Sequence, residues 1–299
     1  MSTITGQRVG FGIIHGFHHF DLDRLAEEAR HAEAIGFDLF SVADHLHTEH
    51  PTLEPWTALT WAAAATERLQ VMSNVLGLPY RAPAVTAKMA ETLDRLSGGR
   101  LVLGLGVGGY DQEFTAFGLA ERTPGQKVSA LGDALQIIRG LWNEPAFSYE
   151  GKHFQVREAR IEPKPIHPIP IWLGTYGPRA LTMTGALADG WIPSLGRLEL
   201  GQALAMRTAV RASAEAAGRD PDEITCAANL VVAFEPGRSP GSQAGWRQLA
   251  GSSEAIAEQI LVIVRAGFTF LNIALPQPDL RERFAAEVIP LVRSELARR

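Results

Sequence analysis

Asp44 and His45 stand side by side at the end of an apolar run, where an imidazole can act as acid, base or hydrogen-bond partner. In isolation such a pair more often only caps a strand. At the strand end of an α/β barrel the balance tips toward chemistry. His15, His18, His19, His45, His47 and His50 crowd the first fifty residues and raise a metal reading. Metal-dependent barrel hydrolases take two histidines one residue apart from the first strand and further ligands from later strands. His45 and His47 follow the second strand, and only His153 and His167 come after residue 50, so no metal site is expected. Gly104, Gly106 and Gly109 match GxGxxG formally, but that fingerprint should run straight into a helix, and a Phe-rich loop follows instead. The alternation Gly104, Gly106, Gly108 strips one strand face of side chains. Either backbone packs closely there or a flat ligand lies against it. The run WLGTYGPR at 172–179 is more specific. A strand, a glycine turn and Pro178 at a first helical position aim backbone N–H groups at an anion, with Thr175 and Arg179 as further donors. An ordinary strand-to-helix turn is the alternative. On a barrel such an anion is commonly a cofactor phosphate.

The elements that must position these residues repeat one unit. Residues 72–109 read as strand end, loop, helix, tight turn and strand. Pro83 opens the helix, Val85, Met89, Leu93 and Leu96 recur at helical spacing, and Gly98-Gly99 stops it. Two apolar runs joined this way pair in parallel as a βαβ unit. Strand signals fall at 9–14, 37–43, 69–75, 101–107, 169–173, 189–192, 224–234 and 269–274. Helical patterns alternate with them. Asp21 caps the first, in which Leu22, Leu25, Ala29 and Ala32 share a face, and Leu280, Phe284, Val288 and Leu291 mark the last. Eight strands with about eight helices predict a (β/α)8 TIM barrel, one domain over 1–299, rather than a doubly wound open sheet.

Three stretches interrupt the rhythm: the aromatic loop 110–125 after the fourth strand, a small hairpin at 147–156, and a Gly-, Pro- and Ser-rich stretch at 235–251 after the seventh strand. The first reads as a functional cover or as disorder, and the last as mobile. Chemistry is then expected at the strand ends, which are His15, Asp44-His45, Asn74-Val75, Val107 to Gly109, Gly174 to Arg179, Trp191 and Ala274-Leu275.

A chain of 299 residues with 46% hydrophobic content can fill such a core, and a net charge of -5 argues against nucleic acid or an anionic membrane as the main partner. Cys226 stands alone, so no disulfide framework forms within one chain. The start, MSTITGQRVG, lacks a leader pattern and no apolar run approaches the ~20 residues a membrane span needs, so a cytoplasmic location is expected.

Residues 41–45 (SVADH), 54–66, 75–109, 114–118, 141–142, 149–151, 168–174 and 188–191 together resemble the luciferase-like monooxygenase superfamily, specifically its deazaflavin (coenzyme F420) dependent branch. The run LPYRAPAVTAKMAETLDRLSGGRLVLGLGVG is the most characteristic part, and residues beyond 193 match only in outline. The resemblance implies a luciferase-like barrel, usually a homodimer, that passes a hydride between F420 and a small organic substrate. Deazaflavin lacks the flavin N5 and reacts poorly with oxygen, so reduction or dehydrogenation is implied. A non-proline cis peptide at Asn74-Val75 would form a bulge backing the ring. Asp44 and His45 would meet ring and substrate, and Gly106, Val107, Gly108 and Gly109 would line the cofactor. Gly174, Thr175, Tyr176, Gly177, Pro178 and Arg179 would receive its phosphate. Some deazaflavin dehydrogenases carry a glutamate where this chain has Gly109, which leaves His45 as the better candidate to manage a proton. A reduced-FMN monooxygenase, a metal-dependent hydrolase and a barrel that only binds a ligand are the alternatives.

Overall fold

Short β-branched and leucine-rich runs pair in parallel around a closed ring in the computed structural model, which describes residues 8–15, 24–49, 51–234, 247–275 and 277–298. The ring is made of β1 (Gly10–His15), β2 (Leu39–Val42), β3 (Gln70–Ser73), β5 (Leu101–Gly106), β8 (Ile171–Leu173), β9 (Gly190–Trp191), β10 (Thr225–Ala233) and β12 (Phe270–Ala274). Its order is β1-β2-β3-β5-β8-β9-β10-β12, and β12 closes it by pairing Phe270 with Gly10. This is the eight-stranded barrel expected. Around it lie α1 (Leu25–Ala34), α2 (Pro55–Ala65), α3 (Pro83–Ser97), α5 (Pro124–Asn143), α6 (Pro178–Leu187), α7 (Leu200–Ala216), α8 (Ser253–Arg265), α9 (Pro278–Arg283) and α10 (Ile289–Ala297). Among the described residues no helix is long and apolar enough to cross a membrane.

The barrel interior changes character along its axis. Leu39, Met72, Val102, Trp172, Ile192 and Ala227 form an apolar plug. Two residues further along β2, β10 and β12 the same inward face becomes polar, because strand side chains alternate with period two. Asn272 Nδ2 donates to Ser41 Oγ and to Asn229 Oδ1, both at 2.9 Å. Asn229 then exchanges two amide hydrogen bonds with Asn74, at 2.9 and 3.2 Å. Each amide is satisfied by the next, which offsets the cost of enclosing Asn272 and half-burying Asn229 and Asn74.

Asn74 begins a bulge, and the Asn74-Val75 peptide is cis, as the resemblance implies. Beyond it β4 (Leu76–Gly77) resumes pairing with β5. Ser73 Oγ accepts from Gly104 N at 3.1 Å and donates to Gly104 O at 2.9 Å. A Cβ on Gly104 would stand 1.8 Å from the Ser73 carbonyl oxygen, and one on Gly106 would stand 2.7 Å from Val75 Cγ2. A Cβ on Gly174 would come within 3.0 Å of the same methyl. The bare strand face therefore serves close packing: the Val75 side chain sits on a floor of three glycines.

Several expectations need correction. In α3 the apolar stripe is only half buried: Leu93 is enclosed and Met89 packs partly against the core, but Val85 is 53% and Leu96 74% exposed. The buried side is Thr86, Ala87, Ala90, Glu91, Leu93, Asp94 and Ser97. Small residues allow close approach there, and the acids are neutralised: Lys88, Arg95 and Thr92 saturate Glu91, while Asp94 accepts from Leu101 N and pairs with His167. Residues 110–125 are not structureless, because α4 (Asp111–Ala116) forms within them. Gly108, at φ +84°, lets the chain turn so that the Phe114 ring lies where its Cβ would be. The hairpin is β6 (Phe147–Glu150) and β7 (Gln155–Ala159).

Of the stretch expected to be mobile, residues 235–246 lie outside the described residues, and β11 (Gln248–Ala250) pairs in parallel with β10. Asp21, Leu22, His18, His19 and His50 likewise lie outside them, and α1 is described from Leu25. The last helix contains a π turn at Phe284–Val288. The wider turn shifts the buried stripe to Phe284, Val288, Ile289 and Val292, so Leu291 is only partly covered.

Candidate active site

The strand ends converge on one rim, and His45 leads out of β2 there. Thr52 Oγ1 donates to the His45 carbonyl at 3.0 Å, which fixes the start of the loop. Asp44, expected beside His45 at the ring, points elsewhere. Its side chain has 0% exposure and accepts from Gly77 N at 2.8 Å and from Arg81 Nη1 at 2.8 Å. Arg81 also binds Glu54, which caps α2 through the N–H groups of Trp56 and Thr57. This three-residue ion cluster clamps the end of β2 to β4 and to the start of α2. Burial pushes the Asp44 carboxyl above its ordinary range, with Arg81 and the Gly77 N–H pulling the other way.

His45 itself is engaged on one nitrogen. Its Nδ1 lies 2.8 Å from Glu113 Oε1, and the Tyr80 hydroxyl donates to Glu113 Oε2 at 3.1 Å. Burial, then the Glu113 charge, push the Tyr80 phenol up, so it remains a protonated donor. The Tyr110 ring meets His45 edge-on at 5.1 Å, and Arg197 lies over Tyr110 at 5.7 Å while donating to its hydroxyl. Tyr80 stacks obliquely on Phe114 at 4.7 Å, and His47 touches Phe117 at 6.2 Å. The aromatic loop is therefore a wall beside the histidine.

Val107 to Gly109 leads from β5 into that wall. Lys127, buried on α5, donates to Gly108 O at 3.0 Å and pairs with Asp111 at 2.5 Å. A Cβ on Gly109 would meet nothing within 4 Å. The turn after β8 is fixed by Gly174 N donating to Leu105 O at 3.0 Å and by Trp191 Nε1 donating to Thr175 O at 2.9 Å. Thr175, expected as an anion donor, is buried, and its hydroxyl pairs with Thr184 at 2.7 Å. Tyr176 OH accepts from Ser194 N at 2.9 Å. Gly177 and Pro178 open α6 with no side-chain cap, and exposed Arg179 reaches Ser129 Oγ at 3.3 Å. Uncapped N–H groups with a neighbouring guanidinium suit a phosphate.

The arrangement fits a flat, phosphorylated group. Val75, seated on its glycine floor, could back such a group, the start of α6 could meet its anion, and His45 lies at the same end of the barrel. His15 is buried at the end of β1, where enclosure and then the Arg281 charge push its pKa down to about 3, so it stays neutral. Among the described residues no three His, Cys, Asp or Glu side chains are grouped to hold a metal ion. Glu113, Tyr80, Arg81, Lys127, Asn229 and Asn272 were not legible as site residues. Only Glu113 carried a signal, as the acid directly preceding the Phe114 and Phe117 pair in a loop of unexplained length.

Known proteins share this chain's sequence and fold. An F420-dependent glucose-6-phosphate dehydrogenase of Nakamurella multipartita is 30% identical over 80% of this chain and 72% of its own length. An F420-dependent hydroxymycolic acid dehydrogenase of Mycobacterium tuberculosis is 31% identical over 81% of this chain and 68% of its own. Among solved structures, an F420-dependent secondary alcohol dehydrogenase in complex with an F420-acetone adduct superposes with a TM-score of 0.85. It is 18% identical, with 96% of this chain and 99% of that one covered, a likeness of fold. Residues 6–239 match the profile of the luciferase-like monooxygenase family, and the chain belongs to that family.

Proposed function

We propose that this chain is a cytoplasmic, F420-dependent oxidoreductase that moves a hydride between the deazaflavin and a small alcohol or carbonyl compound. The observation that carries the reading is the berth itself: a glycine-floored bulge at Val75, an uncapped helix start at Pro178 and a histidine with one ring nitrogen open, all on one rim. The relatives that are F420-dependent dehydrogenases support the choice of ring.

When bound, the deazaflavin supplies a hydride-accepting carbon where an ordinary flavin has N5. Gly106, Val107, Gly108, Gly109, Asn74 and Val75 would line it. The start of α6 at Gly177 and Pro178 and the Arg179 guanidinium would hold its phosphate, with Gly174, Thr175 and Tyr176 shaping the turn. His45 would take the proton of a substrate hydroxyl, or return it to a carbonyl. Asp44 acts through Arg81 and Gly77 by holding the strand end that carries His45.

Titration of the purified protein with F420 should show saturable binding at least about tenfold tighter than with FMN, a gap worth about 1.4 kcal/mol. Binding of reduced FMN alone, with oxygen uptake, would make this the monooxygenase instead. Stoichiometric zinc would favour the hydrolase, and cofactor binding without turnover across an alcohol and carbonyl screen would leave a binding barrel.

A homodimer is part of the same proposal. Trp61 is 64% exposed on α2, and Val85 and Leu96 are exposed on its neighbour α3. Apolar side chains of this size suit a second copy. Sedimentation should return twice the chain mass, and Trp61→Glu should move the population toward monomer.

A further inference from the structure

We propose that Glu113 is a positioning residue for His45: by accepting the Nδ1 proton it selects the tautomer that leaves the Nε2 lone pair open at the rim. This rests on the reading of His45 as the group that handles the substrate proton. The geometry behind it is local and complete. Glu113 Oε2 is occupied by the Tyr80 hydroxyl at 3.1 Å, and Oε1 faces His45 Nδ1 at 2.8 Å. An ionised carboxylate only accepts, so the imidazole must be the donor at Nδ1. Nε2 has no partner among the described residues, and the His45 side chain is 37% exposed against 10% for Glu113. The buried member of the pair is thus the acid, and the open member is the base.

The sequence builds this pairing over a distance. Gly108 turns the chain after β5, and Phe114 packs into the space its missing side chain leaves. That seats α4 with Glu113, one residue earlier, against His45. The Tyr110 ring, itself held by Arg197, packs edge-to-face with the imidazole at 5.1 Å. Without a fixed acceptor at Nδ1 a neutral histidine in water favours the Nε2–H form, which has no lone pair at Nε2 to take a proton. The nitrogen that carries the proton is set by the hydrogen bond made at the other one. The Tyr80 bond keeps the carboxylate from rotating away.

The competing account is that Glu113 and His45 merely tie α4 to the end of β2. Nitrogen-15 NMR of the protein without cofactor separates the two. In the wild type the neutral His45 ring should be protonated at Nδ1. In Glu113→Ala it should shift mainly to Nε2–H, whereas Glu113→Gln, whose amide oxygen still accepts, should keep the Nδ1–H form. Glu113→Ala should lose about 10- to 100-fold in kcat with KM changed less than about threefold, and Glu113→Gln should retain more of the rate. Tyr80→Phe should fall between the wild type and Glu113→Ala. A wild-type ring found as Nε2–H overturns the proposal before any variant is made, as does an unchanged tautomer in Glu113→Ala. If the tautomer shifts but the rate does not, Glu113 still positions the ring and it is the role of His45 in proton transfer that fails.

Discussion

A His45→Ala variant is expected to bind F420 with near-native affinity while its kcat falls by about 10²- to 10⁴-fold, the usual worth of a positioned proton-transfer group. The separation of binding from turnover follows from where the contacts lie. In the proposed site the backing would come from Val75 at the bulge and the phosphate contacts from the start of α6, and neither involves the imidazole. The alanine removes the open ring nitrogen and leaves Glu113 still bonded to Tyr80, so the local fold has a partner for its carboxylate. The check is a pair of measurements on one preparation, cofactor titration and steady-state turnover, with a melting curve as control. Unchanged turnover would remove His45 from the mechanism, and lost cofactor binding would mean that it holds the ring.

The second large effect is on stability. Arg81→Met should cost about 3 to 5 kcal/mol at neutral pH, because it leaves the fully enclosed Asp44 carboxylate without its cation. Burial already raises the Asp44 pKa above the ordinary 3.8, and the variant removes the strongest opposing pull. A carboxyl held higher in the folded state than in the unfolded one binds its proton more tightly when folded, so its contribution to stability falls as pH rises. The deficit of the variant should therefore be greatest near pH 7 and shrink as pH falls through the raised folded-state value toward the unfolded one. Urea unfolding at two pH values measures this. Combining Arg81→Met with Asp44→Asn should recover much of the loss, since the asparagine still accepts from Gly77 N without a charge. A single-variant cost below about 1 kcal/mol would show that Arg81 is dispensable to the clamp.

The barrel was legible because its signals are local. Pro55, Pro83 and Pro178 each open a helix where expected, Gly98 ends α3 in the left-handed conformation, and the strands match the apolar runs. Periodicity failed in α3 because it scores apolar residues, whereas the buried face there is built from alanines and from acids neutralised by neighbours. It failed again in the last helix, where the π turn inserts a residue that a 3.6-residue period does not anticipate. Within the site, His45 was visible as a strand-end residue, but its partner lies 68 positions away on a helix of six residues. No spacing rule reaches that far. Asp44 was visible for its type and misjudged for its direction, since a side chain leaving a strand one residue earlier faces the opposite side. Its link to Arg81 spans one βαβ unit, from the end of β2 over α2 to the turn after β4, a separation of 37 residues that no local pattern covers.

The glycine floor under Val75 limits how this enzyme can diversify. A substrate pocket lined by side chains can be resized by point mutation, but here any side chain added at Gly104 would strike a neighbouring carbonyl. Under the proposed function, changes of scope are left to the rim beside His45, where Tyr110, Phe117 and Arg197 stand in the aromatic wall, and a library is best started there.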